Sequence, residues 1–366
     1  MVDEISASIA DVRVLDAMRR VPRHRFVERF IGGPLGGPAW TLDTMRDYVM
    51  DDDADDETLA VAHEAMRALP APGSTRMDIT TSVSAPKLVA SMLDLLELEP
   101  GMRVLEIGAG SGYNAALIAD LVGDPSLVTT IDFDSTLIEP ARGRLAALGL
   151  DAIEVVDGDG DHGVAARAPF DRVIGTVGCT DLSPSWFEQL MPDGSMLVPV
   201  HHGAAHPVVR AMADRSSRLV GPAGFVKVQG RQDQPTWWRS TPGSWREDAE
   251  RVVGSATKLS PGDAWDASLY VCLRDPRGCW TTPTLLDDEG AGAAVKDGQL
   301  VVNGDGALAD RLLSLLDDWE SLGRPSVAHY AAMWTPRDGE DHIDSVAGPW
   351  CIPRLHHTET VTLNPT

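Results

Sequence analysis

Cysteine is scarce in this chain of 366 residues, and its four copies (Cys179, Cys272, Cys279 and Cys351) include no pair at the two-to-four-residue spacing of zinc ligands. Reduced, mostly buried thiols are expected. No uninterrupted apolar run of about 18 residues occurs, which argues against a membrane-spanning helix. The opening Met1 to Asp16 has neither a basic leader nor an apolar stretch of signal length, so the cytoplasm is the expected address. Positive charge is also in short supply: 31 Lys and Arg stand against 55 Asp and Glu, a formal net charge of −24. Such a surface repels phosphate backbones and anionic membranes, and it favours a cationic peptide partner. With 43% hydrophobic and 23% charged residues, the composition is that of a globular protein of two or three domains.

Val12, Leu15 and Met18 recur at helical spacing, and the basic, aromatic-bearing run Val21 to Phe30 connects them to a loop rich in Gly and Pro. Five aspartates follow in the six residues Asp51 to Asp56, either a solvated loop or a landing site for a basic substrate. The stretch TLAVAHEAMRAL beyond it has helical character. An amphipathic helix is expected from Leu88 to Leu98, started by Pro86 and stopped by Pro100 and Gly101. Then RVLEIGAG, YNAALIADLV and LVTTIDF read as strand, helix and strand. A helix around Leu137 to Leu148 and strands at IEVVDGD and DRVIGTV continue the alternation, so a mainly parallel, doubly wound sheet is expected.

The texture changes after Pro199. VVRAMADRSSRLVGPAGFVKVQG reads as a hairpin plus an edge strand, and Leu308 to Leu322 as a helix. Eight tryptophans (Trp237, Trp238, Trp245, Trp265, Trp280, Trp319, Trp334 and Trp350) fall between Gln232 and Thr366. They supply either a second core or the lining of a peptide groove. The expected organisation is an N-terminal segment (1–73) shaping the substrate mouth, a nucleoside-binding domain (74–230) and a C-terminal α+β extension (231–366).

The glycine turn of EIGAGSGYNAA, with Gly108, Gly110 and Gly112, lets a ligand approach the backbone closely at a helix N-terminus. Its GxGxG spacing is not the GxGxxG of dinucleotide binders, which disfavours hydride transfer. Asp132 ends the next strand about twenty residues on, where a carboxylate accepts ribose hydroxyls. Asp159, in DGDGDHG at the following strand end, suits an adenine amine. The strand end TVGCTD lacks the Asn/Asp-Pro-Pro-aromatic tetrad of amino-methylating nucleic-acid enzymes. His201, His202 and His206 have loop spacing and suggest no metal site.

In AMRRVPRHRFV, TSVSAPKLVASML, RVLEIGAGSGYNAAL, VVDGDGDHG, APFDRVIGTVGCTDLSPSWFEQL and DGSMLVPV, the chain resembles the protein-L-isoaspartate O-methyltransferases. The resemblance runs from about residue 12 to 201, is poor from Gly32 to Met77, and leaves about the last 165 residues aside. It implies a class I, Rossmann-like fold using S-adenosyl-L-methionine (AdoMet), with S-adenosyl-L-homocysteine as product. Glu106, Gly108, Ala109, Gly110, Gly112, Asn114, Asp132, Phe133, Gly158, Asp159, Gly160 and Thr176 would then form the AdoMet site. Ser84, assisted by Ser82, would orient the substrate carboxylate; both serines also have a plain use as helix caps. Lys87 follows SAP where repair enzymes often carry another residue, and solvent is its expected setting.

YNAAL, TTIDFD, GFVKVQG and the long C-terminal part look like the branch tied to ribosomally made peptide natural products. That likeness implies methylation of a chosen aspartate in a precursor peptide, basic or pre-cyclised, giving an aspartimide. General isoaspartate repair is the alternative, and an AdoMet-binding module without turnover a further one.

Overall fold

The computed structural model describes residues 2–26, 29–32, 46–49, 67–68, 84–203, 205–223, 225, 228–232, 245, 250–279, 282–304, 306–337 and 351–363. Two compact units emerge: residues 1–177, 185–197 and 225–231 form the first, and 178–184, 198–224 and 232–366 the second. The chain therefore crosses between units several times, unlike the consecutive blocks divided at 73 and 230.

In the first unit, α1 (Val2–Ile5) and α2 (Val12–Arg20) open the chain. The side chain of Asp11 caps α2 by accepting from the Arg13 N–H. Of the three apolar positions at helical spacing, Leu15 and Met18 are buried and Val12 is exposed; Val14 and Ala17 complete the buried stripe. Strands β1 (Arg29–Gly32), β2 (Arg46–Val49) and β3 (Arg67–Ala68) form a small antiparallel sheet in the order β2-β1-β3. Arg67 and Ala68 lie in the stretch expected to be helical; pairing with Phe30 and Ile31 overrides local propensity there. The rest of that stretch, the aspartate run and Ser82 lie outside the described residues.

Helix α3 (Pro86–Leu96) has its proline in the first turn and ends at Glu97, whose φ is +54°. The five principal strands are β4 (Val104–Ile107), β5 (Val128–Asp132), β6 (Glu154–Asp157), β7 (Phe170–Gly175) and β8 (Leu190–Pro199, of which residues to 197 belong here). They lie in the order β6-β5-β4-β7-β8, each pair parallel. All four residues of β4 are buried, as a central parallel strand requires. Helices α4 (Tyr113–Val122) and α5 (Ser135–Ala147) connect β4 to β5 and β5 to β6, and α6 (Pro184–Gln189) precedes β8. Strand order reverses between β4 and β7, which makes the carboxyl end of β4 the switch point where open α/β sheets bind ligands.

The second unit is antiparallel. Strands β9 (His206–Met212) and β10 (Ser216–Ala223) form the expected hairpin. GFVKVQG supplies no strand among its described residues: Gly230 takes φ +84° and opens a 3-10 turn to Gln232. A five-stranded meander follows from β11 (Glu250–Ser255), β12 (Gly278–Cys279), β13 (Thr284–Leu286), β14 (Gly292–Lys296) and β15 (Gln299–Asn303), ordered β11-β15-β14-β13-β12. Helices α7 (Pro261–Arg274) and α8 (Ala309–Ser321) pack on each other, α7 also on β12 and α8 on β14. Strands β16 (Tyr330–Pro336), β17 (Cys351–Pro353) and β18 (His357–Leu363) extend the hairpin sheet in the order β9-β10-β16-β18-β17.

Trp319 and Trp334 are fully buried, their indole N–H groups donating to the Pro325 carbonyl at 3.1 Å and the Ser217 hydroxyl at 2.8 Å. These two belong to the core. Trp245 and Trp265 are half-buried, and Trp237, Trp238, Trp280 and Trp350 lie outside the described residues. The second unit also holds a buried polar network. Arg354 donates to Glu359 at 2.9 Å, His202 Nε2 lies 3.0 Å from the same carboxylate, and His357 Nδ1 lies 3.0 Å from Asp181. Burial alone would raise the Glu359 pKa; Arg354 and His202 outweigh it and bring it to about 2. His201 contacts the Gly178 carbonyl through Nε2 at 2.9 Å and stacks edgewise on His206.

Candidate active site

The glycine turn leaves the carboxyl end of β4. Gly108, Gly110 and Gly112 take φ values of +102°, +50° and +87°, a region side-chain-bearing residues rarely adopt. At Gly108 space is a second constraint, since a Cβ there would stand 2.8 Å from Thr176 Oγ1 and 2.9 Å from Val177. The Thr176 hydroxyl donates to the Gly108 carbonyl at 2.7 Å and so pins the turn to the end of β7.

Asp132, half-buried at the end of β5, accepts from the Gly110 N–H at 2.8 Å through Oδ2 and from the Asp134 N–H at 3.0 Å through Oδ1. Each oxygen retains a lone pair for a further donor. Burial raises its pKa, against the pull of the Gly110 and Asp134 N–H groups. Phe133 beside it is 50% exposed, an apolar ring left open next to a carboxylate. Ala109 is buried within the turn.

Glu106 is fully buried beneath the turn, a place the sequence alone does not reveal. Its Oε1 accepts from Asn114 at 2.8 Å and its Oε2 from Thr130 at 2.7 Å. Both Glu106 and Asn114 thus brace the turn from below. Burial pushes the Glu106 pKa up to about 7 from 4.5, with the Thr130 and Asn114 bonds opposing the rise. Between pH 4.5 and about 7 the folded chain therefore keeps a proton that the unfolded chain releases, and stability falls as pH rises through that window. Glu106→Gln, which cannot ionise, should flatten this dependence by on the order of 2–3 kcal/mol across the window. Denaturant melts at pH 5 and pH 7.5 read the difference; parallel shifts in both proteins would contradict it.

The DGDG turn after β6 places Gly158 and Asp159 next to β5, with Gly160 packed so closely on Ile107 that a Cβ would meet its Cγ2 at 2.6 Å. Two features here escape sequence reasoning. The indole of Trp186, fully buried, donates to the Gly160 carbonyl at 2.8 Å. Asp159 accepts from the Asp161 N–H at 3.0 Å and from the Arg231 N–H at 2.7 Å, 72 residues away in sequence. That second bond ties Arg231, just past GFVKVQG, to the turn.

Ser84 is half-buried and stands just before α3. The N-cap of α3 is Ala85, with no side-chain cap bond, and the Ser84 hydroxyl makes no hydrogen bond to any described residue. The capping role is thus not exercised by Ser84. Its carbonyl accepts from the guanidinium of Arg23 at 3.0 Å, and Arg23 lies over the Tyr113 ring at 5.1 Å. Tyr113 is the first residue of α4, directly behind the glycine turn. Burial draws the Arg23 pKa down to about 10, which leaves it protonated at pH 7. Lys87 is exposed.

A parallel sheet with its switch point at a glycine turn, a carboxylate at the next strand end and an acidic turn at the one after define a class I AdoMet-dependent methyltransferase. The residues fit that ligand: the positive-φ glycines keep side chains off the turn, Asp132 has acceptor capacity for a ribose, and Phe133 offers an apolar face for a base. Residues 66–228 match the family profile described as protein-L-isoaspartate(D-aspartate) O-methyltransferase. A protein-L-isoaspartate O-methyltransferase of Methanothermobacter thermautotrophicus is 39% identical over 155 residues, 41% of this chain and 71% of that one. A protein-L-isoaspartate O-methyltransferase 2 of Polaromonas sp. is 35% identical over 229 residues, 61% of this chain and 90% of that one. A solved protein-L-isoaspartate O-methyltransferase superposes with a TM-score of 0.52 at 21% identity, covering 91% of this chain and 96% of its own, a likeness of fold. This chain belongs to the protein-L-isoaspartate O-methyltransferase family. It is an AdoMet-dependent protein carboxyl O-methyltransferase.

Proposed function

We propose that the chain esterifies the side-chain carboxylate of one chosen aspartate in a ribosomally made precursor peptide, and that the ester closes to an aspartimide. The site residues support the chemistry and the extra chain supports the choosiness. Bound at the turn, AdoMet supplies a methyl carbon on a cationic sulfur. An aspartyl carboxylate, with an ordinary pKa near 4, is already anionic at pH 7, so no strong base is needed and alignment is the task. The Ser84 hydroxyl, uncommitted to the helix behind it, donates to one carboxylate oxygen and presents the other to the methyl carbon. Asp132 accepts the ribose hydroxyls, Phe133 and the Gly158–Gly160 turn border the base, and Gly108–Gly112 give the ligand backbone contact. In the methylated peptide, the following backbone nitrogen attacks the ester carbonyl, loses its proton and expels methanol, leaving the five-membered imide.

The observation that carries the precursor reading is the extent of chain outside the family profile: residues 229–366 lie beyond the matched stretch and include the antiparallel meander. Surface beyond the catalytic cleft gives room for contacts that favour one partner over others. Repair remains the second reading, favoured by the names of the relatives, among them the protein-L-isoaspartate O-methyltransferase 2 that is 35% identical over 229 residues. Initial rates on an unstructured isoaspartyl peptide and on an aspartyl precursor peptide separate the two. We expect methylation of the aspartyl precursor at least tenfold faster; methylation of the isoaspartyl peptide alone would establish repair.

A further inference from the structure

Arg23 sits in the 3-10 turn Arg23–Phe26, is only 1% exposed, and belongs to none of the groups that contact cofactor or substrate in the reading above. A fully buried guanidinium is costly unless its environment uses the charge. Here one N–H donates to the Ser84 carbonyl at 3.0 Å, while the cation lies 5.1 Å from the centre of the Tyr113 ring. The turn that carries it is anchored by Phe26, whose ring is 5.5 Å from that of Tyr113, and by α2, which packs on both α3 and α4. Ser84 leads into α3 and Tyr113 starts α4 behind the glycine turn. A single side chain thus ties the backbone of the substrate-facing serine to the helix that ends the cofactor turn.

We propose that Arg23 is a positioning residue for methyl transfer, fixing the Ser84 main chain against the start of α4 so that the Ser84 hydroxyl meets the substrate carboxylate in register with the glycine turn. The inference rests on the carboxyl-methylation reading in one respect, the role of the Ser84 hydroxyl. Arginine suits the task because its planar fork holds a carbonyl while its face covers an aromatic ring; lysine keeps the charge and a donor but loses the flat stack. A misplacement of the order of 1 Å at a reacting group costs about a hundredfold in rate.

The test is a double-substitution cycle on the full-length chain with a peptide that wild type methylates, reading kcat, peptide KM and AdoMet affinity. Arg23→Met should lower kcat by about thirty- to a hundredfold with AdoMet affinity kept within about threefold, and Arg23→Lys should recover part of the loss. In a Ser84→Ala background the same Arg23 substitutions should change kcat by less than about threefold, because the hydroxyl they align is gone. Should Arg23→Met fail to fold, Arg23→Lys and Tyr113→Leu carry the same cycle, each keeping a cation at position 23. Equal losses of kcat in both backgrounds, or a fall in AdoMet affinity as large as the fall in kcat, would overturn the proposal. An inactive wild type with bound AdoMet would instead overturn the carboxyl-methylation reading itself.

Discussion

Asp132→Ala is expected to weaken AdoMet binding by about a hundredfold or more. A carboxylate that accepts two ribose hydroxyls contributes roughly 1.5–3 kcal/mol through each charge-assisted bond, and about 1.4 kcal/mol is tenfold in affinity. The substitution also takes the acceptor from the Gly110 N–H, so the turn itself loses its 2.8 Å tether to β5. Asp132→Asn separates these effects: one oxygen remains to hold the turn, and the loss should be smaller, about tenfold. Calorimetric titration of each variant with AdoMet measures both. Affinity unchanged in Asp132→Ala would reduce Asp132 to a structural acceptor for Gly110 and Asp134.

Ser84→Ala should lower kcat by about a hundredfold with AdoMet affinity unchanged within about threefold. Removing one aligned donor from a reacting oxygen typically costs that much. The fold should tolerate the change, because the Ser84 side chain caps no helix among the described residues and α3 starts from Ala85 with Pro86 in its first turn. Rates at saturating peptide and AdoMet, together with a thermal melt, check both halves of the expectation. Turnover equal to wild type would remove Ser84 from the mechanism.

The parallel core was legible because its signals are local. Glycines at 108, 110 and 112 meet a buried strand on one side and a helix on the other, and YNAALIADLV has the bounds that α4 takes, Tyr113–Val122. Asp132 and Asp159 likewise sit at strand ends that apolar runs announce. What the sequence withheld is long-range. Glu106 reads as a ligand contact, yet it lies beneath the turn because Thr130, 24 residues on, and Asn114 face it there. The bonds from Trp186 to Gly160 and from Arg231 to Asp159 join segments with no shared periodicity. Arg23 reads as one basic residue among several in VPRHRFVERF; only the folded chain shows it buried against Tyr113 and Ser84. At Arg67 and Ala68, pairing with β1 overrides a helical pattern, the ordinary limit of propensity where tertiary partners decide.

The most direct trial of the central claim is the chemical form of the transferred methyl group. Full-length protein incubated with methyl-labelled AdoMet and an aspartate-containing precursor peptide should yield label that mild base releases as methanol, as an ester or its imide-forming collapse requires. Label that stays on the peptide through base treatment, as on nitrogen or carbon, would contradict carboxyl methylation.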